Sequence, residues 1–334
     1  MYNIPYKLLG ALLGSLLLLT ACHSTLDTDD GGKPGCLQLT LSSMPASTRA
    51  VDMEGSLMKN VTIWLADDAN KVVARLHENP NTATQQFTIE GIPRGNYTLY
   101  AAANYLQPGY TEPDTYGTVG STIDDEFLKA ELPTLADGTV KTFDASSGMP
   151  LSLIRPLVIG PGLNEIDAQL IRCVGRYAMK VGNRTNHPLT LSEVTLSRFN
   201  PSKSTLFFRE HVFPDELTYL SFPNPLADSG GELQVDALSE VQVLDYLIYE
   251  GKADTYTVTL RGSIQLSDGA EKSFAATDVK LLFINSYGAA ETITDICRND
   301  YIETTVNIFY NADTNDVSFV VDAWNKVEGE TSFN

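Results

Sequence analysis

From residue 36 onward the apolar residues of this chain recur at every second position rather than every third or fourth. Within 36–42, Leu37, Leu39 and Leu41 share one face of an extended segment, the pattern of a half-buried strand. A second strand is predicted at 61–65, and Asp67-Asp68-Ala69-Asn70 is a turn into a third at 71–76. A short strand at 87–89 runs into Gly91-Ile92-Pro93-Arg94-Gly95-Asn96, a clear turn, and then into a strand at 97–103. Short strands divided by Gly, Pro, Asn and Asp clusters predict an antiparallel sandwich. One short helix or helical turn is expected within 122–132. Asp124, Asp125 and Glu126 stand near its start, where the helix dipole favours negative charge.

Residues 148–164 read as a boundary, punctuated by Pro150, Pro156 and Pro161. A second β-rich half follows, opening on a long extended stretch over 164–181. Later strands are expected at 190–199, 205–209, 241–249, 256–266, 272–285, 303–310 and 316–323. Asn311-Ala312-Asp313-Thr314-Asn315 turns the last hairpin. No helix of ten or more residues alternates with the strands, which argues against a parallel α/β fold. The expected fold class is all-β, with one sandwich over 36–163 and a second, on the same plan, over 164–334.

The first 21 residues stand apart. A single charge, Lys7, precedes an apolar run of about 12 residues, too short at ~1.5 Å per residue to span ~30 Å of hydrocarbon. Thr20 and Ala21 then lead to Cys22. This is the layout of a secretory signal. Its Leu-Thr-Ala-Cys ending resembles a bacterial lipobox, which implies cleavage between Ala21 and Cys22 and acylation of Cys22. The alternatives are an ordinary signal with a chance cysteine, or a short membrane anchor. Residues 22–35 form a tether too rich in Gly, Asp and Pro to pack. Fully extended it reaches roughly 45 Å. Asp27, Asp29 and Asp30 resemble the acidic signal that sends some lipoproteins to the outer face of the outer membrane, or are a plain solvated linker.

Charge narrows the partners. The chain has 42 acidic residues against 23 Lys and Arg, a formal net charge of −19. Such a surface repels nucleic-acid phosphates and anionic headgroups, so no nucleic-acid partner is expected and membrane attachment falls to the lipid. Besides Cys22 there are Cys36, Cys173 and Cys297, too few for a disulfide framework. Sequence cannot pair them, and Cys173 reads as a buried small hydrophobe.

Catalytic chemistry is not evident. His23, His77, His187 and His211 have no second ligand at metal-binding spacing. The chain has no Gly-x-Ser-x-Gly elbow, phosphate loop or His-Glu-x-x-His. No catalytic residue, cofactor or metal is expected. Asp67-Asp68 and Asp124-Asp125 are adjacent acids that point different ways, unlike a glycosidase pair facing across roughly 5–10 Å. Tyr105, Tyr110 and Tyr116 are candidates for a sugar-binding surface, against the plainer reading that they pin their loop by packing.

One loop residue stands out. Arg49 lies among small residues after the first strand, as a protease-processing site at Arg49–Ala50 would. Cutting there releases residues 36–42 from the sheet and bares an edge that another strand can fill. The alternative is an uncut loop arginine.

The order of these pieces resembles a known family. A lipobox, a tether, a first strand and a Thr-Arg-Ala loop precede Asn60-Val61-Thr62-Ile63-Trp64-Leu65 and Ile92-Pro93-Arg94-Gly95-Asn96-Tyr97-Thr98. Gly148-Met149-Pro150, Arg172-Cys173-Val174-Gly175-Arg176-Tyr177, Arg298-Asn299-Asp300-Tyr301 and Trp324-Asn325 follow. The set is similar to the fimbrillin superfamily of type V pili, most of all its FimB-type anchor branch. The resemblance implies two tandem transthyretin-like Greek-key sandwiches and fimbrial stalk subunits as partners, joined by β-strand exchange. It also implies a surface-exposed lipoprotein of the outer membrane that ends the pilus and limits its length. Cysteine and glycine in Arg-Cys-Val-Gly-Arg depart from the plain apolar residues expected there. The Thr-Arg-Ala loop keeps open a protease-processed stalk or tip subunit, and a glycan-binding surface lipoprotein is a further alternative.

Overall fold

A computed structural model of the chain describes residues 33–43, 57–112, 116–135, 143–144, 146–207, 217–222, 224–284, 289–298, 300–322 and 324–325. The first half holds β1 (Gly35–Ser42), β2 (Val61–Asp67), β3 (Val72–Glu78), β4 (Thr84–Ile92), β5 (Gly95–Ala103), α1 (Asp125–Leu128), β6 (Glu131–Pro133), β7 (Leu151–Ile159), β8 (Gly162–Gln169) and β9 (Ile171–Arg172). The second begins with β10 (Val174–Asn183), β11 (Leu189–Ser197), β12 (Lys203–Thr205), β13 (Leu233–Val235), β14 (Glu240–Tyr249), β15 (Gly251–Lys252) and β16 (Thr257–Gln265). It closes with β17 (Glu271–Lys280), β18 (Leu282–Ile284), β19 (Ala290–Thr292), β20 (Asp295–Ile296), β21 (Tyr301–Asn311), β22 (Asp316–Asp322) and β23 (Trp324–Asn325).

The strands form two sheet pairs of the same topology. In the first, a sheet of order β4-β1-β8 faces one of order β3-β2-β5-β7-β9. In the second, β14-β10-β21-β22 faces β13-β11-β16-β17. Each half places its opening strand between an antiparallel neighbour and a parallel closing strand: β1 between β4 and β8, and β10 between β14 and β21. The all-β sandwich architecture expected from the two-residue period is therefore present.

The halves divide later than expected. The boundary at 163/164 falls inside β8, which pairs with β1 along its whole length. Ile166 and Ala168 face the first core, so the stretch over 164–181 is two strands in two different halves. The helix is one turn, α1, with the Asp124 carboxylate accepting from the Phe127 amide 3.0 Å away, and β6 takes over at Glu131. Of the strand expected at 205–209, residues 205–207 are described, and among them Thr205 is in a strand, as the end of β12. The segment expected at 272–285 is broken between β17 and β18.

Each half has its own core, and a third lies between them. The first is built on Leu37, Leu39, Leu41, Ile63, Leu65 and Leu99, the second on Tyr177, Met179, Val181, Val258, Leu260 and Val306. The excursion between β5 and β7 folds over the outer face of β2 and β5, so β2 is buried on both faces. There Trp64, Tyr100 and Phe127 receive Phe207 from the second half, with ring centroids 6.0, 5.8 and 5.2 Å from it. β6 and β12 pair across the same junction.

Candidate functional site

The opening strand of the first half is the feature on which the functional expectations converge. The side chains of Leu37, Leu39 and Leu41 are 0% exposed, while Gln38, Thr40 and Ser42 alternate outward and are half-buried. β1 pairs antiparallel with β4, from Leu37↔Ile89 to Ser42↔Thr84, and parallel with β8, from Gly35↔Gly162 to Ser42↔Gln169. It is thus the central strand of a three-stranded sheet. Its removal leaves two edges and an apolar trough lined by Phe87, Ile166 and Ala168. No residue of β1 carries a formal charge.

The N-terminal end of the slot is tightly built. β1 and β4 shift register between Gly35 and Leu37, a bulge that fixes which side chains turn inward. The Asn164 amide donates to the Gly160 and Gly162 carbonyls at 3.1 and 3.0 Å and to the Cys36 carbonyl at 3.4 Å; its Oδ1 accepts from the Gly160 amide at 2.9 Å. Outside it, Arg94 Nε donates to the Lys33 carbonyl at 3.2 Å. A Cβ placed on Gly35 would stand 2.4 Å from Ile159 Cγ2 and 2.6 Å from the Gly160 carbonyl oxygen.

At the other end of the sheet the described chain resumes at Leu57, held by a polar hub on Asn104. The Asn104 side chain donates to the Leu57 and Met149 carbonyls at 2.8 and 2.9 Å and accepts from the Lys59 amide at 2.8 Å. Gln107 donates to the Gly148 carbonyl at 2.9 Å. The Gly148-Met149-Pro150 motif is thus part of a clasp on the entry to β2. Ala21, Cys22, Arg49 and Ala50 lie outside the described residues.

The remaining candidates are structural. Tyr105 and Tyr116 are buried. Tyr116 stacks on Phe127 at 4.3 Å and donates to the Phe127 carbonyl at 2.8 Å, so the tyrosine cluster packs its loop onto the sheet. Burial pushes the Tyr105 phenol up to about 12. Asp67 caps its turn by accepting from the Ala69 and Lys71 amides, both at 2.9 Å. Cys36, Cys173 and Cys297 do not pair in disulfides. His77 meets Thr62 at 2.7 Å, and no group of three or more metal-ligating residues occurs among the described residues.

Two of the motif residues, Cys173 and Arg298, meet at the junction of the halves. Cys173 is fully buried where the halves meet. Arg298 lies beside it, donating from Nη1 to Ser152 Oγ at 3.1 Å and to the Leu206 carbonyl at 2.8 Å. Its Nη2 also donates to the Thr205 carbonyl and to Glu250. Ser152 is on β7 of the first half, so one guanidinium ties both halves and the arm that carries Phe207. A lone arginine in a turn gives no sequence signal for such a role.

No family model matches the chain, and no curated protein matches it. Solved structures do. A protein described as a candidate cell adhesion protein from Bacteroides eggerthii is 13% identical, with TM-score 0.54 over 88% of this chain and 97% of that one. The tip fimbrial protein Mfa3 of Porphyromonas gingivalis, with a C-terminal truncation, is 13% identical, with TM-score 0.51 over 86% of this chain and 99% of that one. A fimbrilin of Porphyromonas gingivalis is also 13% identical, with TM-score 0.50 over 88% and 98% of the two chains. The likeness covers both sheet pairs, and at this identity it is one of fold.

Proposed function

We propose that this chain is a non-enzymatic structural subunit of a cell-surface fimbria, held at the outer membrane by lipid on Cys22 and serving as the base that attaches the filament and limits its length. The observation that carries the reading is β1 itself. A lipid on Cys22 connects to the folded body only through the tether and this strand, and the strand is central to its sheet with every inward side chain buried. The fold likeness to a tip fimbrial protein and a fimbrilin supports membership of a fimbrial assembly. One acyl chain binds a bilayer only marginally, whereas the two or three of a lipoprotein hold firmly. An acidic body on such an anchor suits the base of a filament.

A second reading has its own support. β1 is uncharged, and in the sequence the loop after it contains Arg49–Ala50. Cut there, β1 leaves with the lipid, and a strand of another subunit fills the slot. The protein is then a polymerising stalk or tip subunit.

Mass spectrometry of the protein recovered from the assembled cell surface separates the two. An acylated N-terminus at Cys22 is expected for the base, and a chain starting at Ala50 overturns that role in favour of the processed subunit. Deletion of the gene is expected to shed filaments or let them run long; unchanged filaments remove both readings.

A further inference from the structure

The glycine at the mouth of the β1 slot has a twin. β10 is the counterpart of β1, and its inward residues Tyr177, Met179 and Val181 are, like Leu37, Leu39 and Leu41, 0% exposed. Two positions before the first of each trio stands a glycine, Gly35 in one half and Gly175 in the other. A Cβ on Gly175 would lie 2.8 Å from the Cys297 carbonyl oxygen and 3.2 Å from Ile296 Cγ2. On Gly35 the obstructing atoms are the Gly160 carbonyl oxygen and Ile159 Cγ2. Both halves therefore block the position in the same way. An isoleucine ends the preceding strand, β7 or β20, and the carbonyl of the next residue closes over the glycine in the turn that leads to the closing strand.

This is a steric demand and not a conformational one. Neither glycine adopts a positive φ, so its freedom of backbone is not what the site uses. The obstacle includes backbone, which yields less readily than the end of a flexible side chain. Its position one step ahead of the buried trio ties it to register. A slip of one residue would turn every apolar side chain of the strand outward. It would also bring Cys36 or Pro34 to the closed point.

We propose that the β1 slot is gated by glycine. It accepts a strand with glycine at the place of Gly35 and apolar residues two, four and six positions later, and the occupant that the gate selects, other than β1, is a strand of this pattern brought by a partner subunit. The proposal rests on the second reading above, in which β1 leaves and a strand of another subunit takes its place. The seated β1 supplies the template for the partner's chemistry: Gly-x-Leu-x-Leu-x-Leu, with no charge on the segment. The second slot shows that the demand is for glycine and a buried trio rather than for leucine, since there the trio is Tyr, Met and Val.

The test uses the full chain with a recognition sequence for a specific protease placed within 44–56, cut after folding so that β1 stays seated without a covalent link. Three synthetic peptides then compete with it. One has the sequence of residues 35–42, the second carries Gly35→Val, and the third has the glycine moved one place along. Release of the original β1 segment is followed by mass spectrometry and peptide entry by fluorescence anisotropy. The native peptide is expected to enter and release β1, and the valine peptide to lose that activity. A peptide with the glycine moved one place along is expected to fail in the same way. Equal entry by the valine peptide overturns the gate while leaving strand exchange standing. If no peptide enters, strand exchange at this slot falls, and the gate with it.

Discussion

Arg298 donates from Nε and Nη2 to one and the same oxygen, Glu250 Oε1, at 2.8 and 2.6 Å, and the two side chains are only 1% and 3% exposed. Two charges so fully removed from water persist because the fork is satisfied on its other side by the Thr205 and Leu206 carbonyls and Ser152. Arg298→Met leaves the Glu250 carboxylate buried without its partner and is expected to cost about 3–5 kcal/mol. The double variant with Glu250→Met is expected to recover most of that loss. Urea unfolding of both variants checks the difference, and equal destabilisation contradicts it.

The core of the first half rests on the inward leucines of β1. Leu39→Ala removes a fully buried side chain facing Phe87 across the β1–β4 ladder and is expected to cost about 2–5 kcal/mol. Hydrogen exchange is expected to rise in β1, β4 and β8 before it rises in β10 and β21. Uniform loss of protection across both halves would show that the halves do not melt separately.

The outer faces of the two equivalent sheets differ in charge. In the second half Lys180 Nζ reaches Glu303 at 2.8 Å, and Arg176 forks onto Asp245. In the first half the position corresponding to Lys180 is Thr40, opposite the exposed Asp167 of β8. Thr40→Lys is expected to stabilise the first half by roughly 0.2–1 kcal/mol. The gain, read from thermal melts, should shrink in high salt.

Acid is expected to loosen the second half first. The hydrogen bond from Arg176 holds the Asp245 carboxyl below its ordinary 3.8, and that from Lys180 holds Glu303 below its ordinary 4.5. A carboxyl whose folded pKa is depressed stabilises the fold above its unfolded value, and this contribution is lost as the pH falls through the folded value. The outward face of β1 has no such group. Amide exchange in β10, β14 and β21 should therefore quicken relative to β1, β4 and β8 as the pH drops below the ordinary carboxylate range. Parallel behaviour of the two sheets would refute this.

Much of this was legible in the residues. Leu37, Leu39 and Leu41 announced a strand because a half-buried strand has a period of two, and the turn at 311–315 was plain in its Asn and Asp residues. The division between the halves was not. Prolines 150, 156 and 161 read as a boundary, yet Pro156 lies within β7 and Pro161 in the turn between β7 and β8. Nothing in the alternation of 164–181 records that β8 and β10 pack into different cores, because pairing partners far along the chain leave no local trace. Gly175 seemed out of place as a strand residue, since the atoms that exclude its Cβ come from residues 296 and 297. The tyrosines at 105, 110 and 116 were visible as a cluster, but whether they faced water or Trp64 depended on where the excursion after β5 came to rest.

The parallel run of β1 beside β8 has a mechanical side. Gly35 enters the sheet beside the β7–β8 turn, at the pole away from Ser152 and the junction. Tension between a tether at Gly35 and a load on the second half therefore pulls β1 along its own axis. The ladders to β4 and β8 are loaded together, in shear, instead of being peeled open one bond at a time. A strand seated this way resists a pull along its own axis with every bond of both ladders at once.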